Sequence, residues 1–532
     1  MKQRLFALLA LLLTLCLLCG CSSISSDDIT EFLTGESQTE EETPAEEEAP
    51  EEDEPQQEMA AEAVLQDVES LEILHLAYQE SYGLNPFTTV SLCNRAIIPL
   101  LYEPLYLVNS RFEAEPVLAA ATEVSEDGRT TTITLRSGVT FHSGKALTAQ
   151  DVVYSYEAAK ASAYYGNRFY HIDTVEAVDG KTIAVTTDTT YENVALLLDF
   201  PIVQLNTAEQ PVPTGTGPFV YDDSYRLEPY DRWWQESWAI PCVAAELTPC
   251  DTAADIRDQF EYNNVNLVWT DPNSAAYATF HNDSESWYSP TTIMQYIGFN
   301  SSKKALSNSA VRACLTYAID RETIVTEDLG GSALAASLPA SPLSPFYDTG
   351  LAASYDYDLE DFQALLNEAQ IMDYTGDGIL DVYYKGYAVP LEFDLLVSAG
   401  NTQRRTTADH IAEALNKLGF SITVNVVDHE KFEQALRYGN FDLYYGEMRM
   451  SSNFDLGPFF RNGGSVAYGG MESGTALNLC AAMLENSGNA YDLHKRVMDQ
   501  GYLCPILFKQ YTVYTTRGAA QDLDPAIDWV IH

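Results

Sequence analysis

From Ser309 onward the apolar residues switch repeatedly between two spacings, and few chain architectures satisfy both. Val311, Cys314, Leu315, Ala318 and Ile319 recur at three to four residues and predict a helix over Ser309–Glu327. Phe362, Leu365, Leu366 and Ala369 predict a second helix over Asp358–Gln370. Ala408, Ile411, Ala412, Leu415 and Leu418 predict a third over Thr406–Leu418, with Gly419 as its stop. Phe420–Val426 alternates as a strand, Phe432–Arg437 is again helical, and Phe441–Tyr445 is the next strand. Helices that alternate with strands predict βα units around a largely parallel sheet, an α/β fold.

The beginning of the chain is of another kind. Lys2 and Arg4 precede an apolar run from Leu5 to Leu18, too short for a confident membrane span, so residues 1–20 read as a signal peptide. The segment Leu18-Cys19-Gly20-Cys21 resembles a lipobox, which would make Cys21 the acylated residue. From Asp27 to Glu69 there are 18 Asp and Glu and no Lys or Arg. Such a run cannot bury enough apolar surface to offset its ordering entropy, so residues 21–70 are expected to be an anchor and a solvated tether. Of the net charge of −49, the tether carries −18 and the signal +2, which leaves −33 on the remainder. That balance argues against nucleic acid as a partner.

Cys16, Cys19 and Cys21 belong to the leader, and the other six of the nine cysteines are scattered without C-x-x-C spacing. Cys242 and Cys250 are the most plausible local disulfide. His142 stands beside turn glycines with no second ligand at metal spacing, and reads as structural. Asp373, Thr375, Asp377 and Asp381 alternate as in a calcium loop, but Tyr384 stands where the bidentate Glu belongs. A turn is the better reading, and neither a metal nor a cofactor is expected. Ser301-Ser302-Lys303-Lys304 satisfies S-x-x-K and raises a surface lipoprotein enzyme of the serine penicillin-binding type as the rival class. Its companion motifs are missing.

Two segments carry a family resemblance. The first is FHSGKALTAQDVVYS, in which Thr148-Ala149-Gln150-Asp151 is a capping box opening a helix. The second is VRACLTYAIDRETIV, and LYEPLY, GTGPF and FDL support both. They are similar to the extracellular solute-binding proteins of family 5, which serve peptide and nickel ABC transporters. The resemblance implies a two-lobed periplasmic-binding-protein-like fold of the large three-subdomain type, with a hinge between lobes. Lobe I would span residues 71–295, with a subdomain around 95–200, and be completed by a return over 502–532; lobe II would span 296–501. It implies a monomer that captures a peptide or similar small solute for a membrane permease. With Cys21 acylated, the protein would sit on the outer face of the cytoplasmic membrane.

Tyr82, Asn85, Tyr445 and Glu447 are expected among the walls of the ligand cleft, from their places at strand ends and loops. Arg449 either answers a ligand carboxylate or is tied up by Glu447. Asp455 has two readings: it neutralises a cationic end of the ligand, or it caps a helix starting near Pro458.

Overall fold

The computed structural model describes residues 72–235, 242–274, 280–520 and 523–532; the leader, Cys21 and the acidic tether lie outside them. The chain opens with strand β1 (Ile73–Tyr78) and then builds a separate sheet from β2 (Ala119–Val124) and β3 (Thr130–Leu135). Helix α1 (Ala149–Ala161) follows, then β4 (Ile172–Ala177) and β5 (Thr182–Thr187). These four strands pair antiparallel in the order β2-β3-β5-β4. Helix α1 starts where sequence places it, with the Asp151 carboxylate accepting the Thr148 N–H at 2.9 Å.

The main sheet resumes with β6 (Ala244–Pro249), β7 (Leu267–Thr270) and the 16-residue β8 (Ser284–Phe299). Helix α2 (Leu359–Glu368), β9 (Glu392–Ser398), α3 (Thr402–Lys417), β10 (Ser421–Val427), α4 (His429–Tyr438) and β11 (Leu443–Arg449) come next. The 14-residue β12 (Leu503–Thr516) closes it. Its order is β6-β1-β7-β12-β8-β11-β9-β10, extended past β6 by two short strands, and Ala333–Ala335 pairs with β12 off this path.

The helix–strand alternation after Ser309 produces the parallel pairs β9 with β10 and with β11, and β1 also pairs parallel with β6 and β7. The sheet is nevertheless mixed and not largely parallel, because antiparallel strands join and flank these blocks. Two antiparallel strands join these blocks. β8 and β12 run side by side, β12 also pairing with β7 and β8 with β11, so both span the two halves of the sheet. Their register shifts between Pro290 and Met294 and again between Gln295 and Tyr296. A register shift locally bends and twists a strand pair, which suits a place where lobes meet. One apolar core packs around β1 and the small sheet; a second packs around β9–β11, α2 and α3.

Several expectations change here. Ser309–Glu327 is not one helix: it breaks into Ser309–Ala313, Leu315–Ala318 and Arg321–Thr323, followed by a wide turn over Ile324–Asp328. The apolar stripe is buried as its spacing requires, but Arg321 is buried too. Its guanidinium donates to Pro505 O at 2.8 Å, Thr316 O at 2.9 Å and Thr316 Oγ1 at 2.8 Å. An extended Ile319 interrupts the helix just before it, and carbonyls around the break take up those donors.

Cys242 and Cys250 do not pair, and the six cysteines among the described residues are free. The two flank the extended β6, which at about 3.3 Å per residue holds them roughly 25 Å apart, against the about 6 Å a disulfide needs. In the Asp373–Asp381 turn the carboxylates accept backbone N–H groups: Asp373 from Gly376 at 2.6 Å and Gly378 at 2.9 Å, Asp381 from Tyr374 at 2.9 Å. The turn caps itself. His142 faces the Gly217 carbonyl at 3.0 Å. In the same GTGPF turn a Cβ on Gly217 would lie 2.6 Å from Leu100 O, so the glycine permits close backbone approach.

Candidate ligand-binding site

Along β11 the side chains of Tyr445, Glu447 and Arg449 share one face, because strand side chains alternate. Tyr445 is buried and donates to Gln295 Oε1 at 2.8 Å; Gln295 Nε2 donates to Glu447 at 2.8 Å. Lys509 on β12 lies 3.7 Å from Glu447 and 2.5 Å from Asp271, just past the end of β7. Arg404, in the first turn of α3, lies 3.7 Å from Glu447 on the other side. Burial pushes the Glu447 carboxyl up, but Lys509 and Arg404 outweigh it and hold it below its ordinary range. This chain of contacts links β11, α3 and both long strands to the loop after β7.

Arg449 is not tied up by Glu447 in any direct contact. Its guanidinium lies 3.3 Å from Asp528 and 3.4 Å from the Tyr511 hydroxyl, and 4.7 Å from the ring centre of Tyr164. Arg95 covers the same ring at 3.4 Å and donates to the Tyr165 hydroxyl at 2.8 Å. Arg168 pairs closely with the buried Asp199 and lies 3.5 Å from Asp528, which also accepts from Tyr164 at 2.6 Å.

Tyr164 and Arg449 stand between two cavities and line both. The smaller, about 440 Å³, is bounded further by Tyr82, Trp269, Asp271 and Tyr511. The larger, about 630 Å³, is bounded by Arg168, His171, Tyr191, Asp455 and Arg461 among others. The larger is walled by the end of β11 and its following loop on one side and by the stretch from the end of α1 to the start of β4 on the other. The smaller is lined mainly by β1, the segment after it and β7, with Arg449 of β11 and Tyr511 of β12.

Of the residues singled out in the sequence, Tyr82, Arg449 and Asp455 reach these cavities. Tyr445 and Glu447 stand behind Arg449 on its strand face. Asn85 lines neither cavity: its amide donates to Ala208 O at 2.6 Å and Gln210 O at 2.8 Å, and its carbonyl accepts from Phe87 N–H. Asp455 takes the Gly457 N–H at 2.8 Å, at the start of the short helix Gly457–Phe460, and faces Arg461 at 3.5 Å and His171 at 3.6 Å. The helix-start reading of Asp455 has its hydrogen bond, and the cations the carboxylate faces are the protein's own. Arg95, Tyr164, Arg168, His171, Arg404 and Lys509 were missed. The aromatic run Tyr164-Tyr165 with Arg168 close behind was the available signal; nothing local marked Asp528. Ser301 donates to the carbonyls of Gly469 at 2.8 Å and Gly470 at 2.9 Å, so the S-x-x-K serine is held by backbone.

A two-lobed α/β molecule with a cleft walled from both sides is the build of a solute-binding protein. Residues 113–467 match the family of bacterial extracellular solute-binding proteins, family 5, and the chain belongs to it. Members are transport binding proteins, not enzymes. The chain is 27% identical over 369 residues to the oligopeptide-binding protein AppA of Bacillus subtilis (strain 168), covering 65% of this chain and 67% of that one. It is 27% identical over 422 residues to the dipeptide-binding protein of Escherichia coli (strain K12), covering 71% and 76%. HbpA2 from Haemophilus parasuis shares the fold with a TM-score of 0.68 at 20% identity, over 86% of this chain and 97% of that one.

Proposed function

We propose that this protein is the substrate-binding component of an ABC importer, that it captures oligopeptides, and that it delivers them to a membrane permease as a monomer. The observation that carries the reading is the pair of cavities, about 440 and 630 Å³, that share Tyr164 and Arg449 in their lining. A long void walled from both lobes suits an extended solute better than a single ion. Two relatives named for oligopeptide and dipeptide binding support it. Lobe I would comprise residues 71–295 and 502–532 with a subdomain around 95–200, lobe II residues 296–501, and β8 with β12 would form the hinge. Tyr82, Arg449 and Asp455 would touch solute, Tyr445 and Glu447 would brace β11 behind them, and Asn85 would shape its loop. Cys21, acylated, would hold the protein to the outer face of the cytoplasmic membrane through the acidic tether.

Native mass spectrometry of the purified protein, followed by melting curves with the masses found, tests the ligand. Bound peptides that raise the melting temperature are the expected result. Bound haem or a nickel complex, with no response to peptides, would overturn the peptide assignment and leave the transport role standing.

A further inference from the structure

A third cavity, about 380 Å³, lies apart from the cleft and shares no lining residue with the other two. Trp233, Trp234 and Trp529 wall it with Tyr102, so half of the chain's six tryptophans meet at one small void. Glu103, 5% exposed, brings a carboxylate among them. It accepts Trp233 Nε1 at 3.1 Å, Trp234 Nε1 at 2.9 Å and Gln235 Nε2 at 3.2 Å. All three donors are uncharged, and among the described residues no Lys, Arg or His forms an ion pair with Glu103. Arg136, also in the lining, gives Nε and Nη2 to the carbonyls of Val117 and Pro116 and stands 4.9 Å from the Trp234 ring centre. Glu115 adds a second carboxylate, and burial lowers the pKa of His532 and favours its neutral form. The lining thus presents two carboxylates against one guanidinium that is already spent on backbone. A buried carboxylate without a counterion is costly. Burial pushes Glu103 up to about 7, although its hydrogen bonds pull the other way.

We propose that this cavity is a second binding site, separate from the solute cleft, and that it takes a small organic ammonium ion whose charge rests beside Glu103. Carboxylate and aromatic rings attract such a cation together, and its alkyl groups bury apolar surface against the indoles. A metal ion is the poorer fit, since it takes several hard oxygen ligands. Among the described residues no group of three or more His, Cys, Asp or Glu could hold one. The chain's 78 Asp and Glu against 29 Lys and Arg draw cations toward the protein. The inference does not rest on which solute the cleft carries.

The test uses the intact protein with choline, tetramethylammonium and the uncharged isostere of choline in which carbon replaces nitrogen. Binding is followed by tryptophan fluorescence and thermal shift. At about pH 8, where Glu103 is ionised, at least one ammonium should bind, and the isostere should bind about tenfold or more weakly than choline. Glu103→Gln keeps an oxygen for the indole N–H groups, and should lose the same factor for the ammonium while leaving the isostere unchanged. Should that variant fail to fold, wild-type protein decides alone. Its affinity for the ammonium should fall about tenfold from about pH 8 to about pH 5 as Glu103 takes a proton, and that for the isostere should not. An isostere that binds as well as choline overturns the inference, and so does a protein that binds neither ammonium. An ammonium that binds Glu103→Gln as it binds wild type sits elsewhere, which also overturns it.

Discussion

His171 joins the small sheet to the loop after β11, with Nδ1 2.8 Å from Asp188 and Nε2 3.6 Å from Asp455. The rings of Tyr170 and Tyr191 flank it, and Arg461 faces it across Asp455. Burial works to lower its pKa, but Asp455 and then Asp188 outweigh burial and raise it above the ordinary value. A raised histidine stabilises fully below its unfolded pKa and loses that contribution as pH climbs through the folded one. Melting temperature should therefore carry a His171-dependent fall as pH rises above about 6.5, the ordinary histidine value, which His171→Gln flattens. An equal slope in both proteins would refute it. Asp455→Asn keeps an oxygen for the Gly457 N–H, whereas Asp455→Ala removes it. Because Arg461 and His171 already face the carboxylate, we expect Asp455→Ala to lower the melting temperature more than Asp455→Asn. Affinity for a free-amine peptide should change less than about tenfold in Asp455→Asn; a larger loss would assign the charge to the ligand. At this scale the shared face of Tyr445, Glu447 and Arg449 was legible, because period two on one strand sets it; that of the three only Arg449 reaches these cavities was not. Arg95 was not, since a buried cation is tolerable only through tertiary neighbours. Nor was Asp528, whose partner Tyr164 lies 364 positions away.

Where β8 meets β11, Gly298 lies opposite Tyr444, and a Cβ there would overlap the buried Tyr444 ring. Overpacking of this kind costs about 1–3 kcal/mol, so Gly298→Ala should lower the urea midpoint without changing the slope. An unchanged midpoint would mean the ring moves freely. The broken helix makes a stronger prediction. Arg321→Met keeps apolar volume but strips hydrogen bonds from the Pro505 and Thr316 carbonyls, at a cost of about 3 kcal/mol or more. A loss below about 1 kcal/mol would show that those carbonyls find other donors. Periodicity placed α2, α3 and α4 within a few residues, because their apolar stripes are also their buried faces. It missed the break at Ile319–Asp320, because the stripe continues across it while the buried arginine that follows sits off the stripe.

For the whole molecule, two predictions concern attachment and closure. Two acyl chains hold a protein stably where one is marginal, so Cys21→Ser should move the protein from membranes to the soluble fraction. Continued membrane retention with an unlipidated wild-type N-terminus would end the anchor proposal. If β8 and β12 bend as a hinge, small-angle scattering should show the particle contract on saturation with a bound solute. Superimposable profiles would count against closure. Among the described residues no helix is long and apolar enough to cross a membrane. What the sequence determined by itself was local and periodic: the βα alternation, the capping box at Thr148 and the motifs that mark the family. These depend on neighbours within a few positions, where sequence spacing is spatial spacing. Only the tertiary structure decided that Arg449 turns to Asp528 instead of Glu447, that Cys242 and Cys250 stay apart, and that cations gather in the cleft of an acidic chain. Each depends on strands β8 and β12 carrying distant segments together, and burial and charge take their sign from what lies across the cleft.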